Sequence, residues 1–324
     1  MKYQIINKLF VLIISFGCLY YACDAPRHNP LDPENPDNNL ASLSGQIETL
    51  SHLPVSTANV YWQNDNRYLK TDDQGYFQIK NIPPQDGWIH FSKIGFWDDS
   101  IYIEWGNELV RELNISFNAK PRLDSLLIYS IITNIQSRPQ ILQIGVETII
   151  NDPDNDIDTV YVENPDLNFN NYLKFDYTKQ MHLRVFDKNQ LGISNPDDII
   201  GHEFRIIVKD KFDHWVNLDK MSIKRIIKEQ ITYDRSPSDF ETVPSTPTLT
   251  WRALSPGYSL IYNIEVYIGK DEDNIIWQKP GAFQSINSIE VDDLPTGQSY
   301  SWAIWYTDEF HNRSRSWIYN FTVE

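Results

Sequence analysis

Short runs in which apolar and polar residues alternate recur from about residue 41 to the end of the chain, and they restrict its fold to pleated sheets. Tyr76–Ile79 and Tyr262–Tyr267 show this pattern. A period of two places every second side chain on one face of a strand, so that this face can be buried. The chain has 18 Tyr, 15 Phe and 10 Trp but only 13 Gly, a bias that favours half-buried sheets over helices. We therefore expect an all-β protein.

The length of 324 residues suits two or three domains of ordinary size, and the 41% of hydrophobic residues suffices for several compact cores. Both cysteines, Cys18 and Cys23, lie close to the N-terminus. The rest of the chain therefore has no disulfide framework and no cysteine-based metal site.

Residues 1–22 are typical of a secretory signal peptide. Positive charges at Lys2 and Lys8 accompany an apolar run over residues 9–19. That run is shorter than the roughly 20 residues that a membrane-spanning helix needs. We therefore expect this segment to direct export.

Residues 19–23 resemble the bacterial lipobox, with alanine directly before Cys23. Tyr20 and Tyr21 depart from the family pattern, which usually has leucine and a small residue at these positions. The resemblance implies cleavage before Cys23 and lipidation of its thiol. Lipidation of Cys18, secretion without a lipid and an uncleaved anchor are the alternatives.

Residues 23–40 are expected to comprise the lipidated cysteine and a proline-rich linker. The prolines of this linker are Pro26, Pro30, Pro33 and Pro36. Proline favours an extended backbone, so the segment is predicted to be a semi-rigid tether. It is similar to the tethers that follow the cysteine in bacterial surface lipoproteins.

A first domain is predicted over residues 41–118. Turn residues Asp73–Gly75 precede the alternating strand Tyr76–Ile79, and Pro83 and Pro84 end it because proline cannot donate to a sheet. The segments 45–47, 54–61, 71–77, 82–87 and 95–96 resemble the carboxypeptidase regulatory-like (transthyretin-like) β-sandwich. The resemblance implies a module that accompanies other domains and is not itself catalytic.

A second domain is predicted over residues 119–235. The predicted strands are residues 121–128, 140–150, 158–162 and 203–210. Their order, with an aspartate-rich turn, resembles a bacterial immunoglobulin-like domain. Residues 221–228 are expected to form a last strand, with a short helix as the alternative.

A third domain is predicted over residues 236–324, where the sequence resembles a fibronectin type III module. Trp251 fits the strand that carries the core tryptophan of that family, and Trp302 is also expected in the core. Leu294, Gly297 and Tyr300 have the family's Leu-x-x-Gly-x-x-Tyr spacing, which implies a tyrosine corner. The whole fold is therefore expected to be three β-sandwich domains in series, after the signal peptide and the tether.

The formal net charge of −16 at pH 7 limits the choice of partners. Removing residues 1–22 takes away two lysines and no acidic residue, so the exported chain is more acidic still. Such a chain repels phosphate backbones and anionic lipid headgroups, so we expect no nucleic-acid partner.

These features predict a membrane-anchored cell-envelope lipoprotein that binds or scaffolds a protein or glycan ligand. Its lipid is expected in the outer membrane or at the cell surface rather than in the inner membrane. One alternative is an enzyme, or an accessory subunit of one, that acts on extracellular polymers. Another is a purely structural spacer in an envelope assembly, which would have no ligand pocket.

The sequence contains no recognisable catalytic motif. Its seven histidines include no His-x-x-x-His pair, and no Gly-x-Ser-x-Gly elbow occurs. The neighbouring acids Asp98 and Asp99, like Asp292 and Asp293, are expected on opposite faces of a strand, where they cannot share one substrate. We therefore predict no enzyme and no cofactor.

Two groups of residues are candidate binding sites, and each also has a plainer structural interpretation. Asp152, Asp154, Asp156 and Asp158 offer carboxylates at alternate positions, which Ca²⁺ prefers, although Ile157 stands where a calcium loop needs glycine. The plainer interpretation is a turn in which these acids bind their own backbone.

Tryptophans are the second candidate, because an exposed indole can stack on a sugar or on a protein partner. The residues chosen for this platform are Trp62, Trp105, Trp277 and Trp305. The plainer interpretation is that they belong to sandwich cores.

Overall fold

The computed structural model describes residue 35 and residues 39–135, 138–228, 234–238, 240–269 and 271–324. The predicted signal peptide and Cys23 lie outside this described part, so the lipidation site stays a prediction. Within these ranges, no helix combines the length and apolar character needed to cross a bilayer. The chain divides into two compact units, residues 1–120 and 121–324.

The first unit contains seven strands among its described residues. They are β1 (Ala41–Thr49), β2 (Asn59–Trp62), β3 (Arg67–Lys70), β4 (Tyr76–Ile82), β5 (Gly87–Ser92), β6 (Asp99–Ile103) and β7 (Val110–Phe117). One sheet has the order β4-β1-β7, with β1 and β7 parallel, and the other has the order β3-β2-β5-β6. A 3₁₀ helix, Gln63–Asp65, links β2 and β3.

The two sheets of the first unit enclose one apolar core. Leu43 and Phe77 reach it from the first sheet, and Val60, Ile89 and Phe91 reach it from the second. Alternate residues of each strand point inwards, as the period-two pattern predicts. Strand β4 ends at Ile82, directly before Pro83. The β-sandwich expected for this segment is confirmed.

The second unit contains the remaining sixteen strands of the described part. The first eight are β8 (Arg122–Thr133), β9 (Ile141–Asn151), β10 (Ile157–Asn164), β11 (Phe169–Tyr172), β12 (Lys174–Asp176), β13 (Met181–Asp187), β14 (Glu203–Asp210) and β15 (Trp215–Ser222). The last eight are β16 (Glu241–Val243), β17 (Thr248–Thr250), β18 (Ile261–Ile268), β19 (Ile275–Phe283), β20 (Ser288–Glu290), β21 (Gln298–Thr307), β22 (Arg313–Arg315) and β23 (Tyr319–Val323). Two 3₁₀ helices, Pro165–Leu167 and Pro196–Ile199, complete this unit. An all-β fold is confirmed.

Strands β8 to β15 enclose the first apolar cluster of the second unit. Val146 of β9, Val162 of β10 and Phe204 of β14 are fully buried in it. Its sheets have the orders β11-β10-β14-β15 and β12-β13-β9-β8. The strands predicted from the sequence at residues 121–128, 140–150, 158–162 and 203–210 coincide with β8, β9, β10 and β14.

The segment 221–228 corrects one sequence prediction. Strand β15 ends at Ser222, and residues 223–228 have no regular structure, so the predicted last strand is wrong beyond that point. Its apolar residues are instead divided between two cores. Ile223 and Ile226 enter the first cluster of the second unit, and Ile227 enters the next one.

Strands β16 to β23 enclose the second apolar cluster, which is rich in aromatic residues. Trp251 and Trp302 are buried there, as predicted. The Tyr300 hydroxyl donates to the Pro295 carbonyl oxygen at 2.8 Å, so the predicted tyrosine corner is confirmed. Strands β8 and β22 pair in parallel, which joins the sheets of both clusters within one compact unit. The division of the chain into three domains stays a prediction.

Candidate functional site

The outer face of the β3-β2-β5-β6 sheet carries a continuous group of rings. Tyr61, Tyr68, Trp88, His90 and Tyr102 point away from the core because each alternates with a buried or half-buried neighbour on its strand. We call these five residues the aromatic face. Registry brings them together, since Tyr61 is paired with both Tyr68 and His90, and Trp88 is paired with Tyr102.

Four successive rings of the aromatic face, from Tyr68 to Trp88, are close and nearly parallel. The ring centroids of Tyr61 and Tyr68 are 4.2 Å apart with planes 15° from parallel. His90 lies 5.8 Å from Tyr61 at 20° and 6.4 Å from Trp88 at 25°. Tyr102 meets Trp88 edge to face at 5.2 Å. Contacts of this kind hold aromatic side chains in defined positions.

The rings remain accessible to a ligand. Tyr68 is 73% exposed, Trp88 43% and Tyr102 46%. Tyr61 is half-buried, and its hydroxyl donates to Asn66 Oδ1 at 2.9 Å. Loss of hydration beside its neighbours, followed by its hydrogen bond with Tyr68, raises the pKa of the Tyr61 phenol. The outermost ring, Tyr68, therefore offers the most open surface.

A cleft of about 600 Å³ runs beside these rings. Tyr61, Tyr68 and His90 form its aromatic wall, and its polar lining consists of Asn59, Ser92, Asp98, Asp99 and Ser100. The expectation that Asp98 and Asp99 lie on opposite faces of a strand is wrong, because both line this cleft. Strand β6 begins only at Asp99, so Asp98 precedes the pleat that would turn it to the opposite face.

Two tryptophans of the predicted platform are core residues, which corrects that prediction. Trp62 is fully buried and Trp105 is 1% exposed. Trp62 lies two residues after Val60 on β2, so both side chains point into the core. The Trp62 ring meets the Trp105 ring edge to face at 6.4 Å. The Trp105 indole donates to the Gln85 carbonyl oxygen at 3.1 Å. Neither ring can stack on a ligand.

The other two tryptophans of that platform are half-buried in the second unit. The Trp277 indole donates to Asp292 at 2.9 Å, and the Trp305 indole donates to Glu265 at 3.1 Å. The guanidinium groups of Arg313 and Arg315 lie 5.2 and 5.8 Å from the Trp305 ring centroid. These contacts occupy the Trp305 ring with its own neighbours, so the four tryptophans do not form one platform.

The aspartate-rich segment before β10 is a hydrogen-bonded turn. The Asp152 carboxylate accepts the backbone N–H groups of Asp156 at 2.8 Å and Ile157 at 3.1 Å, and that of Asp154 at 3.3 Å. Asp158 is exposed and lies 3.8 Å from the Lys209 ammonium. This is the plainer of the two interpretations of the sequence.

Burial within the same turn raises the pKa of one carboxyl group, that of Asp156. Loss of hydration and the hydrogen bond to Asp152 raise the pKa of Asp156 to about 6, with the charges of Asp152, Asp210 and Asp154 adding to the shift. In the part of the chain that the structure describes, no three acidic, histidine or cysteine side chains are grouped so that they could hold a metal ion. The turn therefore offers Ca²⁺ no such group of ligands.

Comparison with known proteins gives one match at the level of sequence families. Residues 43–127 match the family described as CarboxypepD_reg-like domain, which confirms the resemblance of the first predicted domain. No curated protein matches the chain.

Three solved structures are similar at low identity. BcpA, the major pilin subunit of Bacillus cereus, is 10% identical with a TM-score of 0.29, and the match covers 84% of this chain and 91% of that one. The chicken CNTN1 FN1-FN3 domains are 9% identical with a TM-score of 0.32, covering 84% and 92%. Fibronectin(III)-like modules of Clostridium thermocellum CbhA are 10% identical with a TM-score of 0.29, covering 63% and 94%. These values are too low to transfer a function.

Proposed function

We propose that the protein is an exported, lipid-anchored binding protein of the cell envelope, and that the aromatic face of its first unit is the ligand site. The observation that carries this proposal is the row of five neighbouring rings on one sheet face, with a cleft beside it. Single exposed aromatic residues are common on protein surfaces, whereas contiguous exposed apolar patches mark interaction sites.

The charge of the chain agrees with this role. The whole chain has a net charge of −16, and the exported chain is more acidic still, which favours solubility and repels nucleic acids. Rings held against one another lose little side-chain entropy on binding, which favours affinity. A rigid β-sandwich that carries such rings suits a binding module better than a moving active site.

The anchor is tested by metabolic labelling with a fatty-acid analogue. We expect label on the wild-type chain and on Cys18→Ala, but none on Cys23→Ala. Acyl chains contribute about 0.8 kcal/mol for each buried CH₂, so several chains suffice to hold the wild-type protein on a membrane. Label retained by Cys23→Ala would contradict the proposed anchor site.

The ligand site is tested by co-sedimentation of the chain from Asp24 onward with purified cell-envelope material. This chain contains every residue that the structure describes. We expect Tyr68→Ala and Trp88→Ala to lower the bound fraction strongly. The matched control is Tyr177→Ala, which removes an 81% exposed ring from the second unit. Equal binding by all three variants would contradict the assignment of the site.

A further inference from the structure

We propose that the cleft beside the aromatic face binds a β-linked pyranose chain, and that Asp98 and Asp99 select chains bearing amines over chains bearing carboxylates. This inference rests on the proposed function, because it names the ligand of the same site. It uses two properties of the cleft, namely its ring wall and the sign of its charge.

The ring wall matches the apolar side of a sugar. Each face of a β-linked pyranose ring presents C–H groups, which pack against the electron-rich face of an aromatic ring. Tyr68, on the edge strand β3, is 73% exposed and overlaps Tyr61 at 4.2 Å, so its outer face is open. A β-1,4-linked chain is extended, and the rings of the aromatic face follow one another across four neighbouring strands. Because the inner rings cover one another's faces, one sugar can stack on the outer face of Tyr68 while the rest of the chain contacts ring edges.

The polar lining matches sugar hydroxyls. The Asn59 amide donates to Ser92 Oγ at 3.4 Å, which is long for a hydrogen bond. This amide and the Ser92 hydroxyl therefore retain capacity for a ligand. A flat apolar wall beside convergent amide, hydroxyl and carboxylate groups provides both stacking and orientation.

The lining of the cleft carries negative charge, from Asp98 and Asp99. Asp98 and Asp99 are exposed, and no lysine or arginine is among the residues that line the cleft. Lys70 is paired with Asn59 on the neighbouring strand and Lys93 follows Ser92 in the chain, but neither lines the cleft. At physiological salt, charges act over about 8 Å, so both carboxylates act on a sugar in the cleft. An amine is attracted there and a uronate is repelled.

The test compares three β-1,4-linked hexasaccharides that share one backbone and differ in charge. They are cellohexaose, which is neutral, the glucosamine hexamer, which carries amines, and the cellouronic acid hexamer, which carries carboxylates. Isothermal titration uses the chain from Asp24 onward at about pH 6, because the neighbouring oxygens of a glucosamine unit lower the pKa of its amine below that of an α-amino group. We expect the amine-bearing chain to bind about two- to fivefold more tightly than cellohexaose, and the uronate to bind most weakly.

Two variants separate the parts of the inference. Asp98→Asn with Asp99→Asn should bring the affinities for the three sugars close together while cellohexaose still binds. Tyr68→Ala should weaken binding of all three about tenfold or more. Circular dichroism and the melting temperature of each variant show whether it is folded, and Tyr177→Ala is the matched control in the second unit.

The outcomes also separate this inference from the proposed function. If all three sugars bind equally well, the charge selection by Asp98 and Asp99 is wrong, and if none binds, the sugar class is wrong. In that case the ring-dependent co-sedimentation with envelope material still decides the proposed function. Loss of ring dependence in both assays would overturn both proposals.

Discussion

At the scale of single residues, the adjacent aromatics Tyr61 and Trp62 have opposite roles because of strand parity. Tyr61 belongs to the aromatic face, and Trp62 is fully buried against Trp105. A shift of one position on a strand exchanges core and surface. Composition alone therefore cannot tell a binding ring from a packing ring, whereas position on the pleat can.

This parity predicts a large difference in stability between two aromatic substitutions. Trp62→Ala should lower the free energy of unfolding by about 3–5 kcal/mol, because it opens a cavity in the core. Tyr68→Ala, at the exposed end of the row, should cost less than about 1 kcal/mol. Urea unfolding followed by circular dichroism measures both values. Similar costs for the two variants would show that the strand register is not the one described.

Asp156 makes the stability of the second unit depend on pH. Its pKa is raised to about 6, mainly by burial and by its hydrogen bond to Asp152, so the folded state binds this proton more tightly than the unfolded chain. The resulting stabilisation is complete below the unfolded-state pKa near 4 and is lost as the pH rises through about 6. Above that pH, the folded state holds a buried carboxylate among other acids.

We therefore expect Asp156→Asn to raise the melting temperature at about pH 7.5 and to change it little at about pH 4. Asp158→Asn is the matched control, since Asp158 is exposed in the same segment. Thermal denaturation at the two pH values measures the melting temperatures of both variants and of the wild-type chain. If Asp156→Asn raised the melting temperature equally at both pH values, titration of Asp156 could not be the cause of the increase.

At the scale of strands, one glycine allows β8 and β9 to pack. Gly145 pairs with Tyr129, and a Cβ atom at Gly145 would overlap the Tyr129 ring. The Tyr129 hydroxyl donates to Glu147 at 2.7 Å, and burial followed by this bond raises the pKa of Tyr129 to about 12. The ring is therefore fixed over the glycine and has no room for a larger neighbour.

Gly145→Ala should thus destabilise the fold by about 1–3 kcal/mol, as overpacking usually does. Combined with Tyr129→Val, which removes the obstructing ring, its cost should be much smaller than in the wild-type background. Denaturant unfolding of the two single variants and the double variant gives this coupling. Strict additivity would contradict the steric explanation.

The strands themselves could largely be predicted from the sequence, because alternation and turn residues are local signals. Glu203–Asp210 forms β14 as predicted, and β4 ends before Pro83. The aromatic face carried a similar signal, since Tyr61 alternates with Val60 and Trp62, and Trp88 and His90 alternate with Ile89 and Phe91. Residue type alone does not distinguish the buried Trp62 from the accessible Tyr61 beside it, whereas their positions on β2 do.

Features that depend on pairing between distant segments could not be predicted. The cleft forms only when Asp98 and Asp99 lie near rings from β2 and β3. The sequence around each segment does not indicate which strands will be neighbours. The parallel pairing of β8 with β22 joins residues about 180 positions apart, such as Ile132 and Ser314. Such pairings depend on competition among many strands of similar pattern.

At the scale of the whole molecule, buried polar contacts join the two apolar clusters of the second unit. Asn312 Oδ1 accepts the Ser130 backbone N–H at 2.9 Å and its hydroxyl at 3.1 Å. The Asn134 amide donates to the Arg315 carbonyl oxygen at 2.7 Å and to the Tyr306 hydroxyl oxygen at 3.2 Å. Buried groups of this kind are costly to leave without partners.

Asn312→Ala should therefore weaken both clusters together, by about 1–3 kcal/mol. Hydrogen exchange at the Val146 and Tyr300 amides, one in each cluster, measures this coupling. We expect both amides to lose protection to a similar extent. Loss confined to Tyr300 would indicate two independently folding domains instead.

The most direct test of the ligand site follows indole N–H signals of the chain from Asp24 onward by nuclear magnetic resonance during titration with cellohexaose. Trp88→Phe assigns the Trp88 signal, and Trp62 and Trp105 serve as internal controls because both are buried in the same unit. We predict that the Trp88 signal moves in a saturable way while the Trp62 and Trp105 signals stay in place. A stationary Trp88 signal, with movement only at tryptophans of the second unit, would contradict the aromatic face as the ligand site.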